Sequence, residues 1–557
     1  MKAFKGIVAL LTFAIVAGNF ALGTIPPHPR VRQLIAEGRI ALPYYLEHFD
    51  EIRRRGVGSS WTAPALTRQL SLEPSAAVRS LGPARIPTGS FKVLLILVDF
   101  SDNEQEVAAA YFDTLIFQQA AGSLWDYYQA VSYGDLDIIT VNLPSTVGWT
   151  RAPQTYAYYV NGQNGFGTYP QNAQRLVEDV VTAVDSLVDF SQYDNDADGY
   201  VDALFIAHAG PGAEYTGSDY DIWSHAWVTY NPPVLDGVTI YHYSMEPEYW
   251  AAPGDMTIGV FAHEMGHAVF GLPDLYDRDE VAPSQGLGRW SLMAGGSWNG
   301  TDGDRPAFPD AWSHFQMGYV SPTNVDINIV GQNIAHIESN AEAYRLWHNG
   351  SIGPEYFLIE NRQKVGYDEF LPGSGLLIYH VDEAVTTQND EEWYPGWTSY
   401  GHYLVALEQA DGLWDLERKM NRGDAGDPYP GTTYNATFDA VSTPDSRDYF
   451  GGQTYVAVQN ISPSEYSMTA DLQVTGVPNI LVSTDMLDYE RVFVGTLTAE
   501  SLTVFNRGAD SLIVSAISTD NTAFAPDTTA FVLYADESQE VTVTFAPTTP
   551  AVYIGTL

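Results

Sequence analysis

The sequence predicts a multidomain chain: an α/β unit, then an all-β sandwich, then a separate small unit of short strands. Three observations carry that reading. At 557 residues the chain is too long for one core, and its 45% apolar and 13% aromatic content is enough to fill several. Helical and strand periodicities alternate through residues 91–334, the mark of an α/β unit. From residue 335 onward only short strand-like runs remain, separated by Gly, Pro, Asn and Asp.

Residues 1–23 read as a secretory signal peptide. Lys2 and Lys5 precede an apolar run over 7–17, and Ala21 and Gly23 supply the small residues of a cleavage site before Thr24. The run is short for a membrane span, and no other stretch is long and apolar enough for one. Residues 24–90 read as a basic prosegment: nine Arg against five acids give a net +4, whereas 91–557 carry −49. A cationic arm ahead of so anionic a body has a docking partner in its own chain.

Order is expected to begin at 91–100, a continuous apolar run with Val and Ile that suits a buried central strand. A helical stretch over 108–130 and a strand over 136–141 follow. Residues 174–190 repeat at helical period, with Leu176, Val180, Val181, Val184 and Leu187 on one face. Residues 201–209 return to a strand pattern. Short strands at 344–347, 356–359, 375–380, 403–408, 455–458 and 466–472 assign 335–475 to the sandwich. Gly476-Val-Pro478 reads as a linker to a unit over 478–557, with strands at 501–506, 511–516 and 539–545. The sequence stops inside a strand pattern, as a truncated fragment of a longer protein would.

The formal charge of −43 excludes a general affinity for nucleic acid or anionic membrane, since both need a basic face. The absence of cysteine excludes disulfides, thiolate metal sites, a cysteine nucleophile and latency held by a thiol.

Residues 258–277 carry the chemistry. On a helix, Ile258, Phe261, Ala262, Met265 and Val269 line one apolar face. His263 and His267 lie one turn apart and project from the same side, the spacing at which two imidazoles share one tetrahedral zinc. Glu264 stands beside them as a general base toward water. Gly271 ends the helix in a left-handed conformation and Pro273 prevents its continuation. The chain can then turn back and offer Asp274 as a third ligand, leaving a fourth position open. Downstream, Trp290-Ser-Leu-Met-Ala-Gly-Gly296 reads as a tight turn that sets Met293 beneath the histidines.

Asp194-Asn-Asp196-Ala-Asp198-Gly199-Tyr-Val-Asp202 alternates carboxylates about a glycine, the arrangement that wraps oxygen around Ca²⁺. Asp194, Asp196, Asp198 and Asp202 are its expected ligands, although the loop lacks the final Glu of an EF-hand. Asn421-Arg-Gly-Asp424-Ala-Gly-Asp427 has a weaker claim to a cation and reads as an ordinary Gly-rich loop.

As a set, these motifs resemble the immune inhibitor A-like secreted zinc metallopeptidases. Ser132-Tyr-Gly134, the Asp194 loop, Ile222-Trp-Ser-His225, the histidine helix with its Gly271-Leu-Pro-Asp-Leu-Tyr-Asp277 exit and the Met293 turn all match. So do Glu355-Tyr-Phe-Leu-Ile-Glu-Asn-Arg362, Gly375-Leu-Leu-Ile-Tyr379 and Glu408-Gln-Ala-Asp411. The resemblance spans 91–475. It implies a zincin-like, metzincin-related catalytic domain over 91–334, a β-rich domain over 335–475, synthesis as a zymogen, and endopeptidase activity on extracellular proteins.

The chain departs from the family pattern in one place. Three residues, Ala268-Val-Phe270, separate His267 from the glycine where two are commonest, which shifts Asp274 and leaves Asp277 and Glu280 as alternative ligands. The oxyanion stabiliser stays open among His225, Tyr243 and Tyr276. Latency without cysteine falls to the Arg-rich segment, acting by charge or by offering Glu47, Asp50 or Glu51 to the zinc.

Residues 478–557 resemble the choice-of-anchor D or ASH-type immunoglobulin-like modules. The carrying residues are Val504-Phe-Asn-Arg-Gly-Ala-Asp-Ser-Leu512, Phe524 and Val541-Thr-Val-Thr-Phe-Ala-Pro547. That likeness implies a spacer or cell-surface attachment. Two functional readings stand: a secreted zinc endopeptidase, and a catalytically degenerate surface or adhesion protein that binds through its β modules. Aromatic content alone supports a weaker third, glycan binding.

Overall fold

The computed structural model describes residues 24–55, 57, 86–278, 284–397, 401–476, 478, 480–506, 510–534 and 537–557. The signal-peptide expectation and Glu280 lie outside these residues.

A five-stranded sheet organises the first unit. Its strands run in the order Trp149–Arg151, Leu94–Asp99, Leu204–Pro211, His242–Tyr249 and His225–Val228. The first four are mutually parallel and the last is an antiparallel edge. Leu94–Asp99 is buried at every position, as its unbroken apolar run requires of a strand covered on both faces. The expected 91–100 strand is split: Gly89–Lys92 leaves the main sheet and pairs instead with Leu136–Ile139.

The expected helix over 108–130 is broken too. A short helix Ala109–Phe112 runs into a π-turn Asp113–Phe117, and Leu124–Val131 starts afresh from the Ser123 cap, whose hydroxyl accepts from the Asp126 amide. Gly122 at φ +86° makes the break. Helix Ala173–Val184 buries the predicted face, but it ends before Leu187, which is exposed.

The β-rich part consists of two sheets. Five strands are ordered Thr323–Val325, Tyr344–Leu346, Glu355–Arg362, Gly375–Asp382 and Val405–Leu407; three more are ordered Ile329–Ala335, Ser467–Gln473 and Ala457–Gln459. Thr323–Val325 and Ile329–Ala335 thus lie in these sheets although they precede residue 335. Phe357, Ile359, Leu376 and Ile378 meet Ile334, Val458, Met468 and Leu472 in one core between the sheets. The alternate residues Tyr356, Leu358, Leu377, Tyr379 and Val381 join the core of the first unit. One sheet therefore serves two cores.

Residues 480–545 form a four-stranded sheet ordered Ile480–Val482, Thr498–Asn506, Ser538–Phe545 and Phe524–Pro526, with Leu512–Val514 paired to Phe531–Leu533 beside it. Val504, Leu533, Val541 and Val543 make its own small core.

Candidate active site

Helix Gly259–Ala268 is buried throughout and packs beside Leu124–Val131 and the last two strands of the main sheet. Phe261 meets Phe205 of the central sheet, and the Tyr128 hydroxyl donates to the Ala262 carbonyl at 2.8 Å. The helix is followed by Val269 and by Gly271 at φ +67°; the Gly271 amide donates to the His267 carbonyl and that of Leu272 to Gly266. These two bonds absorb the extra residue of the exit. The Leu275 amide then donates to the Met293 carbonyl at 2.8 Å, which swings Asp274 back over the helix.

The result is a tight triangle. His263 Nε2 and His267 Nε2 are 3.0 Å apart, and each is 3.2 Å from Asp274 Oδ1. All three side chains are fully buried. His263 Nδ1 bonds the Leu292 carbonyl at 2.9 Å and His267 Nδ1 bonds the Leu272 carbonyl at 2.7 Å. A carbonyl only accepts, so both Nδ1 atoms carry the proton and both Nε2 atoms present lone pairs. Two lone pairs and a carboxylate oxygen facing one another repel unless a cation joins them. The donors fit zinc: ligands about 2.0 Å from a tetrahedral ion lie about 3.3 Å apart.

The displaced third ligand was the chief support for a degenerate site, and this geometry removes that support. Asp277 is elsewhere, accepting from the Ser284 amide at 2.6 Å.

Both Glu264 carboxylate oxygens are buried without a hydrogen-bond partner. Burial, then the charges of Glu246 and Asp274, push its carboxyl well above the usual range. Met293 lies under Gly266, between the two histidines on the helix; a Cβ there would sit 2.6 Å from the methionine sulfur.

Residues 24–28 run through the cleft over this centre. Thr24 pairs antiparallel with His225 on the edge strand, and its amide is 3.3 Å from Asp274 Oδ2. The Tyr276 hydroxyl donates to the Thr24 carbonyl, and the Tyr45 and Thr24 hydroxyls bond each other. Trp223 and Trp298 donate their indole N–H groups to the Ile25 and Pro26 carbonyls at 3.1 and 2.9 Å. Farther along, Arg53 pairs with Asp390 at 3.3 Å, while Arg55 donates to the Phe166 and Gly167 carbonyls. The arm therefore docks by burial and hydrogen bonds at least as much as by charge. Glu47 and Glu51 are exposed, and the Asp50 side chain lies outside the described part.

Of the three oxyanion candidates, Tyr276 is the one whose side chain bonds a carbonyl of residues 24–28; His225 Nδ1 bonds the Trp223 carbonyl at 2.6 Å, and His225 Nε2 and the Tyr243 hydroxyl bond each other at 3.2 Å. Sequence reading missed Thr24 and Ile25, which carry no motif, and the two carbonyls that aim the histidines, which depend on the turns around them.

Asp194, Asp196 and Asp202 bring carboxylate oxygens within 4.8 Å of one another. Asp198 is not in that group; its Oδ1 accepts from the Tyr200 amide.

Residues 88–320 match the immune inhibitor A peptidase M6 catalytic domain. The resemblance read from the motifs is borne out. Residues 478–555 match the HYDIN/CFA65/VesB-like Ig-like domain, in agreement with the C-terminal likeness. Similar proteins include immune inhibitor A of Bacillus thuringiensis subsp. alesti, 29% identical over 353 residues, and the pre-pro-metalloprotease PrtV of Vibrio cholerae serotype O1, 27% identical over 339. These alignments take in 54% and 49% of the chain but only 44% and 35% of the relatives' own lengths. Among the described residues, no helix is long and apolar enough to cross a membrane.

Proposed function

We propose that the chain is a secreted zinc-dependent endopeptidase of zincin-like fold, made as a zymogen. The observation that carries this is the triangle of two imidazole lone pairs and one unpartnered carboxylate oxygen, spaced as the edges of a tetrahedral zinc site. His263, His267 and Asp274 would hold the metal. Bound zinc supplies Lewis acidity, polarising a peptide carbonyl and acidifying water. Glu264, next to His263 on the same buried helix, would take the proton and pass it to the leaving amine. The Tyr276 hydroxyl would donate to the scissile carbonyl oxygen as charge develops there, as it now does to the Thr24 carbonyl. A substrate strand would use the edge His225–Val228 that Thr24 now occupies.

Residues 24–28 thus lie where substrate would lie, which supports latency by exclusion, and one relative carries the name pre-pro-metalloprotease. The buried Asp202 with Asp194 and Asp196 supports a calcium loop on the same unit. The C-terminal module would serve for attachment to a cell surface.

The test is Glu264→Gln in protein freed of its N-terminal arm. It should keep one zinc per chain and its melting temperature while losing hydrolysis of casein. Wild-type turnover by that variant would overturn the assignment. For latency, protein beginning at residue 86 should cleave casein faster than protein beginning at residue 24. Equal rates would remove the zymogen reading.

A further inference from the structure

Behind the catalytic centre, a second set of carboxylates converges where the β-rich part meets the Met293 turn. Asp411, Asp424 and Asp427 each bring an oxygen within 4.8 Å of the others. Asp427 is only 1% exposed. Its Oδ2 accepts from Trp290 Nε1 at 2.9 Å and from the Asp424 amide at 3.0 Å, while its Oδ1 is buried with no donor at all. The Leu413 amide donates to Asp411, and the Gly426 amide and Asn421 side chain donate to Asp424. Among the described residues, none of the three carboxylates forms an ion pair with Lys, Arg or His. A Cβ on Gly426 would strike Asp411 Oδ2 and crowd Asp424 Oδ1, so only glycine lets the loop close against these groups.

Three carboxylates this close, one of them fully buried, repel one another unless a cation lies among them. Oxygens on opposite sides of a Ca²⁺ ion bound at about 2.4 Å are about 4.8 Å apart, and a purely carboxylate set is a hard donor set. We propose that Asp411, Asp424 and Asp427 form a calcium site that clamps residues 421–427 onto the Met293 turn. The loop grips that turn on both flanks: the Arg289 amide donates to the Arg422 carbonyl, and Arg422 Nη2 donates to the Gly295 carbonyl, each at 2.9 Å. Between those flanks lies Leu292, whose carbonyl aims His263. Calcium here stiffens the catalytic centre from behind without touching it. The site stands whether or not zinc is the catalytic metal.

The test uses the full chain and Tb³⁺ as a calcium probe, with luminescence excited through tryptophan. Trp290 is hydrogen-bonded to a proposed ligand, so emission should appear and be displaced by Ca²⁺, including in an Asp196→Asn background that disables the other acidic loop. Asp411→Asn and Asp424→Asn, at partly exposed positions, should each weaken Ca²⁺ by about tenfold or more through loss of ligand charge. They should also abolish most of the calcium-dependent rise in melting temperature while zinc content is unchanged. Absence of the emission in the wild type overturns the proposal. So does undiminished Ca²⁺ affinity in both variants, or stabilisation by acid with no response to calcium, which would mean a shared proton instead.

Discussion

Each imidazole of the histidine pair is aimed by a backbone carbonyl, Leu292 for His263 and Leu272 for His267. The pair and Glu264 were legible in the sequence because helical period alone puts them together. Asp274 was legible only through the Gly271 and Pro273 turn, and the extra residue before it obscured the distance. Tyr276 stood among three alternatives because its role depends on where a bound backbone lies, which no local pattern encodes. Its hydroxyl makes the contact that matters, so Tyr276→Phe should act on the transition state. The expected loss in arm-free protein is about 10²-fold in kcat with KM little changed. Steady-state kinetics on a quenched peptide checks this; an unchanged kcat would return the role to His225 or Tyr243.

At the scale of elements, the catalytic helix and the Met293 turn fit by omission. Gly266 has no side chain because the Met293 sulfur fills its place, 2.6 Å from where a Cβ would stand. Gly266→Ala must push the methionine, and with it the turn whose carbonyls hold His263 and the Leu275 amide. Overpacking of this kind costs about 1–3 kcal/mol. Chemical denaturation should show that loss, together with weaker zinc retention under chelator; a neutral result would mean Met293 moves freely. The sequence placed Met293 beneath the histidines, but not the glycine that leaves room for its sulfur. It likewise ran Phe91 and Lys92 into Leu94–Asp99 as one strand, because the chain is extended through both while their partners lie in different sheets.

Across the whole molecule, the catalytic and β-rich parts share one hydrophobic core. Strand Glu355–Arg362 is buried on both faces after its first residue, with alternate side chains in two cores. A boundary drawn by composition could not register this, since a strand shared by two cores looks like any apolar run. Arg362 fixes the junction. It is fully buried, 3.0 Å from Glu360 and 2.7 Å from Asp368, and donates to the Trp290 and Pro309 carbonyls of the catalytic part. Arg362→Ala leaves three buried carboxylates, those of Glu338, Glu360 and Asp368, without their cation, a change that costs about 3–5 kcal/mol. The C-terminal module, by contrast, has its own small core and, among the described residues, shares no apolar cluster with the rest. Calorimetry of the full chain should therefore show two transitions. Arg362→Ala should lower the one in which catalytic and β-rich parts melt together and leave that of the 478–557 module in place. Separate melting of the catalytic and β-rich parts, or a shift of both transitions, would show that the shared sheet does not couple them as its burial requires.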